Sequence, residues 1–113
     1  MSRVQWQTPD DKVGGAVTQT IDATERILDC TPLATAGNGR YPLVVEIEAR
    51  DAACYIRQGG SAVALHATPG QNARIAAEGY RRVSIASAGD AYFAIERTGA
   101  ANGTAVATRI DHV

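Results

Sequence analysis

Between residues 43 and 50 apolar and charged positions alternate, with Val45, Ile47 and Ala49 set against Glu46, Glu48 and Arg50. Successive side chains of a strand point to opposite faces, so this period of two predicts a strand with one wet face. The pattern recurs downstream. Residues 53–58 place Cys54 and Ile56 on one face and Tyr55 and Arg57 on the other, and Gly59-Gly60 ends the run. Residues 80–86 set Val83 and Ile85 against Arg82 and Ser84, residues 91–96 give Phe93 and Ile95 a common face, and residues 104–110 do the same for Val106, Thr108 and Ile110. Shorter strands are predicted at 62–66 and 73–77, on either side of the turn formers Thr68-Pro69-Gly70-Gln71-Asn72. Asp51 and Gly89-Asp90 mark further turns. The alternation assigns Val45, Ile47, Cys54, Ile56, Val83, Ile85, Phe93, Ile95 and Val106 to the core.

Strands of about five to seven residues, separated by Gly-, Pro- or Asn-containing turns, predict an all-β fold. The expected architecture is a single antiparallel β-sandwich or jelly-roll-like barrel over residues 21–113. Within it, residues 25–32 read as a short strand closed by Pro32, which cannot donate to a ladder, and residues 36–40 as a loop. Two segments compete as helices. Ile21, Glu25 and Leu28 share a helical face, but that segment is too short to be stable without tertiary support. Residues 72–78 have good helix propensity, confined between Gly70 and Gly79. Residues 1–20 sustain no period and read as an extended N-terminal arm. Its apolar side chains, Trp6, Val13 and Val17, are the candidate partner-binding residues. Trp6 in a polar context either anchors the arm on a partner or covers the domain's own core.

Composition narrows the functions. The chain has 113 residues, 45% of them hydrophobic, which suits one domain with one core. With 11 Lys and Arg against 12 Asp and Glu it has no basic field to hold a phosphate backbone, so nucleic acid is not an expected partner. No apolar run approaches the roughly 18 residues of a membrane-spanning helix, and the opening Met-Ser-Arg-Val-Gln-Trp does not resemble a signal or transit peptide. A soluble product of the cytosol, with no membrane partner, is expected.

No constellation supports catalysis. His66 and His112 cannot by themselves assemble a three-ligand zinc site, and there is no Cys-x-x-Cys or His-x-His spacing, so no metal or other cofactor is expected. Ser2, Ser61, Ser84 and Ser87 lack a nucleophile elbow, and the Gly-Gly pairs lack the Lys and Ser/Thr of a phosphate-binding loop. Glu46 and Glu48 fall on one strand face, about 7 Å apart by strand geometry, a separation that suits glycoside hydrolysis. Their alternation with Val45 and Ile47 makes them a solvated outer face instead. Cys30 and Cys54 read as reduced, buried thiols, with a disulfide open to them if their strands are neighbours.

One stretch carries a family likeness: Ala53-Cys54-Tyr55-Ile56-Arg57-Gln58-Gly59-Gly60, then Tyr80-Arg81-Arg82-Val83-Ser84-Ile85, Ala91-Tyr92-Phe93-Ala94-Ile95-Glu96 and Gly103-Thr104-Ala105-Val106. Over residues 41–110 the chain resembles small virion proteins of tailed bacteriophages, of the capsid decoration or cement kind and related head-fibre or spike modules. The N-terminal arm has no counterpart in the likeness. The resemblance implies a non-enzymatic protein, made in the host cytoplasm and carried on the virion. It would bind the outside of an icosahedral shell and stiffen it, with the major capsid protein and sister subunits of a homo-oligomer, such as a trimer, as partners. The competing reading is a receptor- or carbohydrate-binding β-sandwich of a phage spike or tail, which should cluster exposed aromatic and acidic residues.

Overall fold

The structure, a computed structural model, describes residues 12–36 and 41–110, with 12–14, 35 and 36 as backbone alone. Eight strands run in chain order: β1 Lys12–Ile21, β2 Arg26–Asp29, β3 Leu43–Arg50, β4 Cys54–Gly59, β5 Ala73–Ile75, β6 Tyr80–Ile85, β7 Tyr92–Arg97 and β8 Gly103–Ile110. They form two four-stranded sheets, ordered β1-β8-β3-β6 and β2-β7-β4-β5. Every pairing is antiparallel, and the partners are nested: β1 with β8, β2 with β7, β3 with β6 and β4 with β5. The chain is thus one long hairpin, tipped between β4 and β5, whose two arms roll up so that β3 also meets β8 and β4 also meets β7. That is the topology of a jelly roll, and the expected all-β sandwich is what the chain forms.

Alternation builds the core as the sequence implies. Val45, Ile47 and Ala49 of β3 face inward with Cys54 and Ile56 of β4, Ile85 of β6 and Phe93 and Ile95 of β7, all buried. Val83 is only half-buried and packs against this cluster from β6, an edge strand. Val106 is buried as assigned, but not in the cluster between the sheets. Its cross-strand partners are Thr18 and Glu48, so it lies on the outer side of the first sheet, while Ala105 and Ala107 point into the core. Hydropathy favours the Val106, Thr108, Ile110 register, but β8 turns Ala105 and Ala107 to the core and Arg109, on the same face, to Leu33.

Three segments depart from the sequence reading. Residues 12–20, expected within the arm, form β1 together with Ile21 and pair with β8; a register shift between Lys12 and Ala16, with Gly15 at φ +77°, hides the period. Pro32 does not close a strand but sits in the first turn of a helix, α1, Thr31–Ala36. The Asp29 carboxylate accepts hydrogen bonds from the Thr31 N–H at 2.9 Å and hydroxyl at 2.7 Å. A helix of six residues needs tertiary support, which comes from buried Leu33 and Ala34 and from the Arg109 guanidinium, donating to the Leu33 carbonyl at 3.3 Å. Residues 62–66 are not a strand, and neither 21–28 nor 72–78 is helical.

Two glutamine amides fasten the sheets together along their open sides. Gln19 of β1 donates to the Ile27 carbonyl of β2 at 2.9 Å. Gln58 of β4 donates to the Ser84 carbonyl of β6 at 3.0 Å and to the Asp90 carbonyl at 2.9 Å. The sandwich is closed most tightly at Gly103, the first residue of β8. A Cβ there would run into the Arg50 carbonyl oxygen and stand 2.9 Å from the Ala52 nitrogen. Gly103→Ala is therefore expected to destabilise the protein by about 1–3 kcal/mol or more through overpacking. Gly70→Ala, where a Cβ meets nothing within 4 Å, should leave stability within about 1 kcal/mol of the parent. Paired denaturant titrations read both.

Candidate ligand cleft on the second sheet

The residues singled out for partner binding are dispersed. Trp6 lies outside the described residues, as does His112, and Val13 is described as backbone within β1. Val17 is half-buried against the core of its own sandwich, so its side chain is engaged in cis. Glu46 and Glu48 lie on the outer face of the first sheet, Glu46 paired with Arg82 at 3.2 Å and Glu48 with Arg50 at 2.9 Å. Among the described residues no three His, Cys, Asp or Glu side chains are placed to hold a metal ion, and no helix is long and apolar enough to cross a membrane.

The two cysteines are free and fully buried. Their strands are not neighbours, since β7 separates β2 from β4. Along β7, Cys30 sits opposite Ala91 and Cys54 opposite Arg97, an offset of roughly 20 Å at strand rise, far beyond disulfide reach. Burial pushes the Cys30 thiol up to about 12, with nearby Asp29 adding to the effect, and the Cys54 thiol up to about 11.

Chemically diverse side chains do converge on the outer face of the second sheet. Glu96 of β7 stands opposite Tyr55 of β4, and Tyr55 opposite Arg74 of β5. Glu25 precedes β2 and continues the register that pairs Arg26 with Ile95, which brings it beside Glu96. Over this row folds the connection 60–72 between β4 and β5. In place of a ladder its backbone is held by turns, such as the Val63 N–H donating to the Gly60 carbonyl at 2.9 Å, and by side chains, and residues 62–66 form no strand. The Arg57 guanidinium donates to the Ala64 carbonyl at 3.0 Å, and a Glu25 carboxylate oxygen accepts from the Leu65 N–H at 3.3 Å. The Asn72 amide brackets His66, accepting from its N–H at 2.9 Å and donating to its carbonyl at 3.3 Å. Val63 presses on Gly59 so closely that a Cβ there would stand 2.8 Å from a Val63 methyl.

Between loop and sheet opens a cleft of about 320 Å³, lined by Glu25, Tyr55, His66 and Glu96, with Leu65, Ala67 and Pro69 along one wall. A second, smaller cleft of about 140 Å³ lies between the sheets beside Gln58, over Ile56, Val83 and Phe93, and has few groups able to orient a ligand. The alternation over residues 53–58 put Tyr55 on the face opposite Cys54 and Ile56, which is the outer one. It could not find Glu25 or Glu96, because the cleft draws on four separate segments and no spacing links them.

No protein-family model matches this sequence, and neither the curated proteins nor the solved structures yield a match. The buried thiols make a further expectation. Neither Cys30 nor Cys54 should react measurably with a thiol-specific chromogenic reagent at pH 8 in the native protein, because the reactive thiolate is suppressed and enclosed. Both should react at once in denaturant; rapid native labelling of either would contradict their placement.

Proposed function

We propose that this chain is a non-enzymatic structural module of a phage particle, a decoration or cement protein that lies on the outside of the shell and stiffens it. The observation that carries this reading is the outer face of the β1-β8-β3-β6 sheet. Thr18, Thr20, Thr104, Thr108 and Ser84 supply short hydroxyl side chains, and the charges among them are already paired as Glu46–Arg82 and Glu48–Arg50. Short side chains lose little rotamer freedom when covered, and paired charges present fewer bare ions to desolvate. Such a face suits docking against a broad protein surface. The jelly roll adds support by analogy, since viral capsid and lectin domains share that architecture, although a fold alone does not fix a function. In this reading the partners are the major capsid protein and sister subunits of a homo-oligomer.

Quantitative mass spectrometry of purified particles from the phage encoding the chain tests the reading. Dozens to hundreds of copies per particle are expected, and a handful or none would overturn it. Thr108→Lys should place an additional long cation in the middle of the docking face, opposite a Glu46 already engaged by Arg82. It is expected to weaken attachment about tenfold or more, the effect of about 1.4 kcal/mol, while the melting temperature of the isolated protein stays within a degree or two.

A further inference from the structure

We infer that the cleft on the second sheet is a binding site for one neutral pyranose unit of a glycan. The inference stands apart from the attachment reading, because it uses the opposite sheet and none of the same residues.

The lining mixes apolar and polar groups as a sugar ring does. Leu65, Ala67 and Pro69 give an apolar wall and Tyr55 an aromatic ring, fit to receive the C–H face of a pyranose. Among them, Glu25 and Glu96 present carboxylate oxygens, and His66 and Tyr55 bring groups that both donate and accept. A sugar hydroxyl also donates and accepts, so it can satisfy each kind. An organic cation would use the carboxylates and the Tyr55 ring, but it carries no acceptor for the donors of His66 and Tyr55. Glu96 is half-buried and has no hydrogen-bond or ion-pair partner among the described residues. It is the acceptor waiting for a donor, whereas Glu25 already spends one oxygen on the Leu65 N–H.

The site is also held in shape before a ligand arrives. Asn72 fixes the backbone on both sides of His66, Glu25 fixes Leu65 and Arg57 fixes Ala64, so the loop pays little further entropy on binding. A volume of about 320 Å³ lies at the small end of ligand pockets and suits one ring instead of a long oligosaccharide.

The test is a protein-observed NMR titration of the full chain with methyl glycosides of neutral hexoses and N-acetylhexosamines, beside N-acetylargininamide as a cationic probe. A glycan array supplies the linkage. At least one glycoside is expected to give saturable shifts confined to Glu25, Tyr55, residues 65–72 and Glu96. Glu96→Gln keeps the side chain's size but loses the charged acceptor, and Tyr55→Ala removes the ring. Each should weaken binding about tenfold while the remaining amide spectrum is unchanged. The inference fails if no glycoside shifts these residues and no glycan is retained on the array. It fails equally if the arginine derivative binds there more tightly than every glycoside, or if both variants bind as the parent does. None of these outcomes bears on copy number in particles, so the two readings can fail separately.

Discussion

Everything in this molecule depends on β8 entering between β1 and β3. The first sheet is assembled from the first strand, the last strand and two from the middle of the chain, so no part of it can form locally. The inserted strand must approach closely on both sides. Gly103 lets it pass the Arg50 carbonyl, and Ala105 and Ala107 let it lie flat over the core. The central strand of the other sheet supplies the bulk, with Phe93 and Ile95 pointing inward. Small residues at the centre of one sheet and large ones at the centre of the other let the two inner faces interdigitate at native density.

Nested pairing has a consequence for the ends of the sandwich. Connections leaving one sheet for the other must cross the core's rim in few residues, and the structure spends special backbone there. Asp51 and Glu78 both take left-handed conformations, at φ 68° and 62°, and they face one another: a Glu78 carboxylate oxygen accepts from the Asp51 N–H at 2.7 Å, while the Glu78 N–H donates to the Ala49 carbonyl at 2.7 Å. Between β1 and β2 the work falls to Asp22, whose carboxylate accepts from the Thr24 N–H and from the Arg26 guanidinium. The hydrogen bond from Arg26 is the main reason that carboxyl is held below its usual range. With most pairings linking strands far apart in sequence, the fold belongs to the slower-folding topologies.

How much of this was legible follows from the same physics. Strands β3, β4, β6 and β7 could be read because one face of each meets water or an edge, and a period of two records that division. β8 defeated the reading because its residues over the core, Ala105 and Ala107, are small, so hydropathy pointed to Val106 and Ile110, on the other face. β1 was hidden by a register shift that interrupts the period between Lys12 and Ala16. α1 was hidden because Pro32 fits the end of a strand and the first turn of a helix equally well, and only the contacts of Leu33, Ala34 and Arg109 decide between them. The cleft was illegible for a different reason: Glu25, Tyr55, His66 and Glu96 are brought together by register and by a folded-back loop, and neither has a local signature.

That loop is where the topology leaves freedom. Each of the other short connections carries the chain from one sheet to the other, and its length is set by the thickness of the core. The 60–72 connection alone joins strands of the same sheet, as the tip of the long hairpin. Its backbone therefore has no crossing to make, and it can fold back over the outer face and be held there by Arg57, Glu25 and Asn72. A segment relieved of any part in closing the sandwich can change without unmaking it, which is the condition under which loops carry binding chemistry on a rigid scaffold. The outer face of the first sheet and the cleft on the second share no residues, so under the two proposals above one small domain would attach by one face and present a site on the other.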